Sequence, residues 1–110
     1  MLKHLAVAYY PEDWDEPRRP EDIKLMKANG IGAVRILEFA WSRVGRGDGE
    51  WTFDWVHRFM RLAEKTGIKV VLCTPSAGPP PWLTIHYPEC LRPCRSFRQS
   101  RPVTMIWQRR

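Results

Sequence analysis

An arginine and a glutamate stand three residues apart in the most apolar stretch of this 110-residue sequence. The stretch reads AVRILEFAWSR over residues 33–43, with Arg35 in its middle, Glu38 near its end and Trp41 just beyond. Such a pair can hold a reacting carboxylate or bind a hydroxyl-bearing ligand, and an indole ring offers that ligand an apolar platform. Because two charges in an apolar strand are costly to bury, the pair predicts a functional site at the end of that strand.

The elements that would position this pair alternate between strands and helices. Short apolar runs predict three strands, over residues 5–9, 31–37 and 68–73. Capping residues and helical spacing predict two helices between them, over residues 20–29 and 51–66. A loop with four prolines covers residues 74–81, and a short helix is expected over residues 82–87. The β-α-β-α-β order with apolar strands predicts an α/β fold with a parallel sheet.

The position of Arg35 distinguishes between two kinds of parallel sheet, an open sheet and a closed barrel. In an open sheet both faces meet helices, and a charged side chain in mid-strand would be costly. In a closed barrel one face points to the interior, and the active site lies at its C-terminal mouth. Arg35 then points inward with a partner, and Glu38 lies at the rim. Three strands leave an edge open, so we expect the chain to be the first part of a larger unit and to aggregate when alone.

Four motifs at the ends of the predicted strands resemble those of one enzyme family. They are Tyr9-Tyr10-Pro11-Glu12-x-Trp14, Val34-Arg35-Ile36-x-Glu38-Phe39-Ala40-Trp41-Ser42, Thr74-Pro75-Ser76-Ala77-x-Pro79-Pro80-x-Trp82-Leu83 and His86-Tyr87-Pro88-Glu89. In this order, over residues 5–89, they are similar to the opening of the β-galactosidases of glycoside hydrolase family 42. The resemblance implies the first three βα units of an incomplete (β/α)8 TIM barrel, and an enzyme that cleaves terminal β-galactosides with retention of configuration.

The resemblance also implies that the catalytic residues lie outside this chain. In the family, the acid/base glutamate follows strand four and the nucleophile glutamate follows strand seven, whereas the third predicted strand here ends at residue 73. Retaining hydrolysis needs two carboxyl groups about 5 Å apart. We therefore assign no catalytic residue, no metal ligand and no cofactor within this sequence, and we expect the chain alone to be inactive.

Four residues are predicted to bind substrate or to support the active site: Arg35, Glu38, Trp41 and Trp82. Arg35 would hydrogen-bond the nucleophile carboxylate and keep it ionised, or serve as a structural ion-pair partner. Glu38 would orient Arg35 or bind a sugar hydroxyl. The two tryptophans are either loop-packing residues or platforms for a sugar ring. Leu37 stands where the family is expected to have a smaller residue. Three residues are expected to order the first βα loop, with direct contact to a sugar as the alternative: Tyr10, Glu12 and Trp14.

The net charge of +6 is confined to the last 20 residues. Residues 1–90 hold 12 basic and 12 acidic side chains, whereas residues 91–110 hold six arginines and no acid. This break predicts that residues 1–90 form the N-terminal portion of a barrel domain and residues 91–110 an Arg-rich tail, disordered or out of frame. Permitted codons for residues 98–107, when read in neighbouring frames, encode short peptides that resemble the family's sequence, which supports a frameshift hypothesis.

Two other functions stay open at this point. The tail could make the chain a small basic module that binds nucleic acid, with salt-dependent phosphate contacts. The chain could also be a remnant without activity. The resemblance implies a β-galactoside or galacto-oligosaccharide as the partner of the full-length family. Because the arginines lie outside every motif, we expect no nucleic acid as a partner, and we expect no membrane. The absence of a membrane span or signal peptide predicts a cytoplasmic location, and full-length relatives are expected to be homo-oligomers.

Overall fold

A computed structural model of the protein describes residues 5–90. Its strands are β1 (Leu5–Ala8), β2 (Ile31–Ile36), β3 (Gly45–Gly47), β4 (Glu50–Trp51) and β5 (Lys69–Leu72). Its helices are α1 (Arg19–Ala28), α2 (Trp41–Val44), α3 (Asp54–Thr66) and α4 (Pro81–His86), with 3-10 turns at Pro11–Asp13, Glu16–Arg18 and Pro88–Cys90. The predictions on residues 91–110, including the disordered or out-of-frame tail, lie outside the described residues.

The main sheet is parallel, with the strand order β1-β2-β5. In register, Ala8 lies beside Arg35 and Arg35 beside Val71, while Val34 lies beside Val70. Because successive residues of a strand point to opposite faces, Arg35 and Val34 mark two different sides of the sheet. The second, small sheet is an antiparallel hairpin of β3 and β4.

Both long helices lie on the same side of the main sheet, which is the side of Val34. Ile23 of α1 and Phe59 of α3 are fully buried with Val34 and Ile36 in one apolar core. Tyr9 closes this core, because its ring stacks on Phe59 at 5.6 Å between centroids. Helices on one face and an open second face are the arrangement of a β/α barrel, since an open doubly wound sheet carries helices on both.

Local sequence explains where the two long helices begin and end. Pro20 and the acidic residues after it occupy the first turn of α1, where a missing N–H and negative charge are both favourable. The Asn29 side chain donates 2.8 Å to the Leu25 carbonyl, and Gly30 follows with a left-handed φ of 80°. Helix α3 likewise ends at a left-handed glycine, Gly67, whose φ is 74°.

The helix predicted over residues 51–66 is three residues too long at its start. Trp51 belongs to β4, and α3 begins at Asp54. The reason is the turn at Asp48-Gly49, where Gly49 has a φ of 77° and folds β4 back onto β3. Each predicted strand of the main sheet is also one residue too long at its C-terminal end. The ladder nevertheless continues there, because Tyr9 N–H donates to the Arg35 carbonyl at 2.9 Å.

None of the helices within residues 5–90 is long and apolar enough to cross a membrane.

Candidate functional site

The predicted charged pair lies at the carboxyl end of the central strand. Arg35 Nη2 donates to Glu38 Oε2 at 3.0 Å, and the Tyr10 hydroxyl donates to the same carboxylate oxygen at 3.4 Å. About half of the Arg35 side chain (51%) is exposed, against 27% for Glu38. The arginine therefore keeps donors free on the open face of the sheet, while Glu38 is held between two partners at the rim.

A left-handed residue brings Glu38 back over Arg35. Leu37 has a φ of 75°, which is unusual for a residue with a branched side chain. Its carbonyl accepts the Ala40 N–H at 3.0 Å, so the chain turns as soon as β2 ends. Leu37 is only 2% exposed. The position is one where glycine is favoured, which agrees with the expectation of a smaller residue and shows why a smaller residue suits it.

The neighbours of Arg35 leave it room on the open face. Ala8 and Val71 flank it in register, and the layer below consists of Ala6, Ala33 and Lys69. No helix within residues 5–90 covers this side, and Ala8, Arg35 and Val71 are all exposed. Small neighbours and an uncovered face allow Arg35 to reach a group that approaches from the barrel interior.

Three tryptophans gather around Gly45 at the start of the hairpin. A Cβ at Gly45 would lie 2.9 Å from Trp41 Cδ1 and 3.1 Å from Trp51 Cζ3, so only glycine fits between the two rings. The Trp82 indole N–H donates to the Gly45 carbonyl at 2.9 Å. This contact joins α4 to the hairpin, which favours the loop-packing interpretation of Trp82.

An open apolar pocket of about 310 Å³ lies beside this cluster. Its lining consists of Leu37, Trp41, Trp51, Phe53, Thr74, Pro75 and Ser76. The rings of Trp51 and Phe53 are parallel, with centroids 6.1 Å apart, and both are exposed. Trp41 thus lies at an apolar surface that a ligand could contact, whereas Trp82 contributes a hydrogen bond to the scaffold.

The first βα loop is organised by residues that the sequence only partly identified. The Arg19 guanidinium is buried and donates to the carbonyls of Pro11 at 3.0 Å and Trp14 at 3.5 Å. Tyr9 donates 2.7 Å to Asp22, and burial together with this carboxylate raises the pKa of Tyr9. Burial likewise raises the pKa of the Glu12 carboxyl.

Several residues of this region escaped the sequence reasoning. Arg19 binds backbone carbonyls, and nothing in its local pattern separates it from a solvated arginine. Gly45, Trp51 and Phe53 had a usable signal, because the Asp48-Gly49 pair, with Gly45 and Gly47 just before it, is typical of a hairpin turn. Among residues 5–90, no group of three or more His, Cys, Asp or Glu side chains comes close enough together to hold a metal ion.

The fold and this rim define a class of protein: a segment of a β/α barrel whose site lies where its parallel strands end. A family model described as Beta-galactosidase, that of glycoside hydrolase family 42, matches residues 8–104. The Thermus thermophilus beta-galactosidase is 41% identical over 97 residues, which are 88% of this chain and 15% of that protein. Beta-galactosidase BgaH of Haloferax lucentense is 42% identical over 85 residues, or 77% of this chain and 13% of that protein.

Solved structures agree with the sequence relatives. The beta-galactosidase of the psychrophilic Marinomonas ef1 matches with a TM-score of 0.76 at 40% identity, over 80% of this chain and 13% of that one. The chain therefore belongs to glycoside hydrolase family 42, and the predicted fold class, the opening βα units of an incomplete TIM barrel, is confirmed. It spans about 15% of the Thermus thermophilus protein. The family match runs to residue 104, past the boundary predicted at residue 90.

Proposed function

We propose that residues 5–90 serve as the N-terminal part of a barrel that hydrolyses terminal β-galactosides with retention, and that this chain alone is inactive. The observation that supports this proposal is the Tyr10–Glu38–Arg35 group at the rim, built from two different strand ends. Retaining hydrolysis needs two carboxyl groups about 5 Å apart across the sugar. Glu38 is engaged by Arg35 and Tyr10, so it serves as a support.

Arg35 is assigned to hold a carboxylate that comes from another strand of the barrel. Its guanidinium has five N–H donors, and only Nη2 is used by Glu38. A charge-assisted hydrogen bond to an incoming nucleophile carboxylate would keep that group ionised at neutral pH. Glu38 then fixes the orientation of the guanidinium, which is the first of the two roles predicted for it.

Trp41 is assigned to the apolar surface that meets substrate, and Trp82 to the scaffold. Trp41 lines the 310 Å³ pocket together with the stacked Trp51 and Phe53. Aromatic rings of this kind suit the C–H face of a sugar or an apolar aglycone. Trp82 would act indirectly, because its indole N–H holds Gly45 and thereby the hairpin.

The test begins with the 110-residue chain and a chromogenic β-galactoside, for which we expect no turnover above background. Turnover that disappears in the Glu38→Gln variant would contradict the proposal. The same chain is then fused to the Thermus thermophilus relative shortened by its matched N-terminal segment. In that fusion Arg35→Ala should lower kcat by roughly 10²-fold, because the nucleophile loses its orientation. Arg46→Ala on the exposed hairpin is the matched control and should leave kcat unchanged.

We also propose a cytoplasmic location. The support is that the described cysteines, Cys73 and Cys90, are free, which suits a reducing compartment. Cell fractionation with an antibody against this chain tests the proposal, and recovery outside the cytoplasm would contradict it.

A further inference from the structure

The hairpin of β3 and β4 is held at two points by the segment that follows β5. At the start of the hairpin, the Trp82 indole N–H donates to the Gly45 carbonyl at 2.9 Å. At its turn, the Tyr87 hydroxyl donates to Asp48 Oδ2 at 2.9 Å. Trp82 lies in α4 and Tyr87 directly follows that helix, so one short element carries both contacts. Two bonds fix the orientation of the hairpin, whereas a single bond would leave it free to pivot.

The Tyr87–Asp48 bond joins two exposed side chains that lie 39 residues apart in the sequence. The Asp48 carboxylate raises the pKa of the Tyr87 hydroxyl, first through the hydrogen bond and then through its charge. The hydroxyl therefore keeps its proton at neutral pH and remains a donor. Because water competes for both groups, such a bond adds little to the stability of the whole fold. Its effect is on where the hairpin lies relative to α4.

The hairpin in turn carries aromatic rings that line the 310 Å³ pocket. Gly45 lies so close to the rings of Trp41 and Trp51 that a Cβ would approach them to 2.9 Å and 3.1 Å. Because no space is left around Gly45, a displacement of the hairpin must move these rings as well. Trp41, Trp51 and Phe53 line the pocket together with residues 74–76 of the loop after β5. The width of the pocket therefore depends on where α4 holds the hairpin.

We propose that Tyr87 and Asp48 are positioning residues for the surface that meets substrate. Their bond fixes the hairpin so that Trp41 and Trp51 keep the spacing that a ligand in the pocket requires. Neither Tyr87 nor Asp48 lines the pocket, so both act through the hairpin. The identity of the ligand, a β-galactoside, rests on the proposed function, but the positioning role does not require that the ligand be hydrolysed.

The test uses the fusion of this chain to the shortened Thermus thermophilus relative. The ligand is phenyl thio-β-galactoside, whose sulfur-linked glycosidic bond resists hydrolysis, and its Kd is measured by isothermal titration. Tyr87→Phe removes only the hydroxyl and should raise Kd roughly fivefold, the order expected for one lost hydrogen bond. The matched control is Thr84→Val. It removes a hydroxyl that donates within α4, to the Pro81 carbonyl at 3.0 Å, and should bind as the unmodified fusion does.

Variants of Asp48 separate the bond from the turn in which Asp48 lies. Asp48→Asn keeps a carbonyl oxygen that can accept from Tyr87, and asparagine before Gly49 suits the turn as aspartate does. It should therefore bind more tightly than Asp48→Ala. Adding Tyr87→Phe to Asp48→Ala should change Kd no further, because the bond is already lost. Equal Kd values for Tyr87→Phe and Thr84→Val, or additive effects in the double variant, overturn the proposal.

A second measurement needs no ligand and reports on the hairpin itself. Hydrogen exchange of the fusion, read by mass spectrometry, should be faster over residues 45–52 in Tyr87→Phe than in Thr84→Val, with α1 alike in both. Faster exchange without a change in Kd would reveal a merely structural contact and overturn the proposal. A fusion that binds the thiogalactoside through this dependence on Tyr87 but hydrolyses no galactoside supports the positioning role and contradicts the proposed function alone. A fusion that hydrolyses galactosides with the same KM in both variants overturns the positioning role alone.

Discussion

The two faces of the main sheet are made by alternate residues of the same three strands, yet they differ in what completes them. On the helix side, Val34 and Ile36 are fully buried under Ile23 and Phe59. On the inner side, Arg35, which lies between Val34 and Ile36 in the sequence of β2, has half of its side chain exposed. The difference shows that residues 5–90 contain the partners of one face and not of the other. The face that has its partners supplies stability, and the open face carries Arg35, one of the predicted site residues.

The largest expected effect comes from a substitution in the apolar core on the helix side of the sheet. Phe59→Ala should lower the free energy of unfolding by about 3–5 kcal/mol, because it removes a fully buried ring that stacks on Tyr9. The control is Met60→Ala, the next residue of α3 and one that is exposed, which should change stability by less than about 0.5 kcal/mol. Urea unfolding followed by circular dichroism compares the two variants. Equal losses would show that α3 does not hold the sheet as described.

A pair of neighbouring valines sharpens the comparison within a single strand. Val70 packs against the apolar core, and Val71 points to the inner face. Val70→Ala should cost about 1 kcal/mol of unfolding free energy, because part of two methyl groups leaves the core. Val71→Ala should cost less than about 0.5 kcal/mol. The same urea titration measures both, and the strand propensity lost is the same in each. A larger loss at Val71 would contradict the assignment of the faces.

Leu37, at the end of β2, allows a comparison between substitution by glycine and substitution by alanine, in which we expect the usual order of stability to be reversed. Leu37 has a φ of 75°, so Leu37→Ala loses the buried side chain and keeps the backbone strain. Leu37→Gly loses the same side chain and relieves the strain, which is worth about 1 kcal/mol. We therefore expect the glycine variant to be the more stable of the two in thermal or urea unfolding. If Leu37 had an extended backbone, the glycine variant would be the less stable of the two. That result would contradict a left-handed Leu37.

The smallest expected effect concerns pH and the loop beside the rim. Burial raises the folded-state pKa of Glu12, so the ionised carboxylate opposes folding. The stability that this group contributes is complete below its unfolded pKa of about 4.3 and is lost as pH rises through the folded pKa. Glu12→Gln should therefore unfold at a higher urea concentration than the unmodified chain at pH 7, and this advantage should vanish below about pH 4.

Glu16 provides a control of opposite sign. Its carboxylate bonds the Arg58 guanidinium, with Nη2 to Oε2 at 3.1 Å, and this hydrogen bond lowers the pKa of Glu16. The stability from Glu16 is present above its unfolded pKa and is lost as pH falls through the folded pKa. Glu16→Gln should thus lose a little stability at neutral pH, since the pair is exposed. A Glu12→Gln variant that shifts in the same direction as Glu16→Gln would contradict the buried carboxyl.

Much of the fold was predictable because its signals are local. The apolar runs located β1, β2 and β5 to within one residue at their C-terminal ends, and Pro20 and Gly67 marked helix ends by their own backbone requirements. The hairpin at residues 45–51 was missed because Trp51 fits a helical spacing as well as a strand. Its true position depends on Gly45, which fits between two indole rings where no Cβ can.

The candidate site was predictable in its residues but not in its geometry. Arg35 and Glu38 were recognisable as a pair because an apolar strand rarely contains charges without a reason. The sequence did not show that the Tyr10 hydroxyl, 28 residues away, shares the Glu38 carboxylate. It left two roles open for Trp82, and the hydrogen bond to Gly45, across 37 residues, favours the structural one.

The sequence by itself determined the family, the order of the three main-sheet strands and the two long helices, and the identity of the charged pair, because periodicity, capping and motif spacing are properties of short segments. The tertiary structure alone decided which face of the sheet is open, how Leu37 turns Glu38 over Arg35, and which tryptophan meets the pocket. Those features depend on contacts between residues far apart in the chain. Such contacts form only when strands pair in register, so no single segment of the sequence contains them.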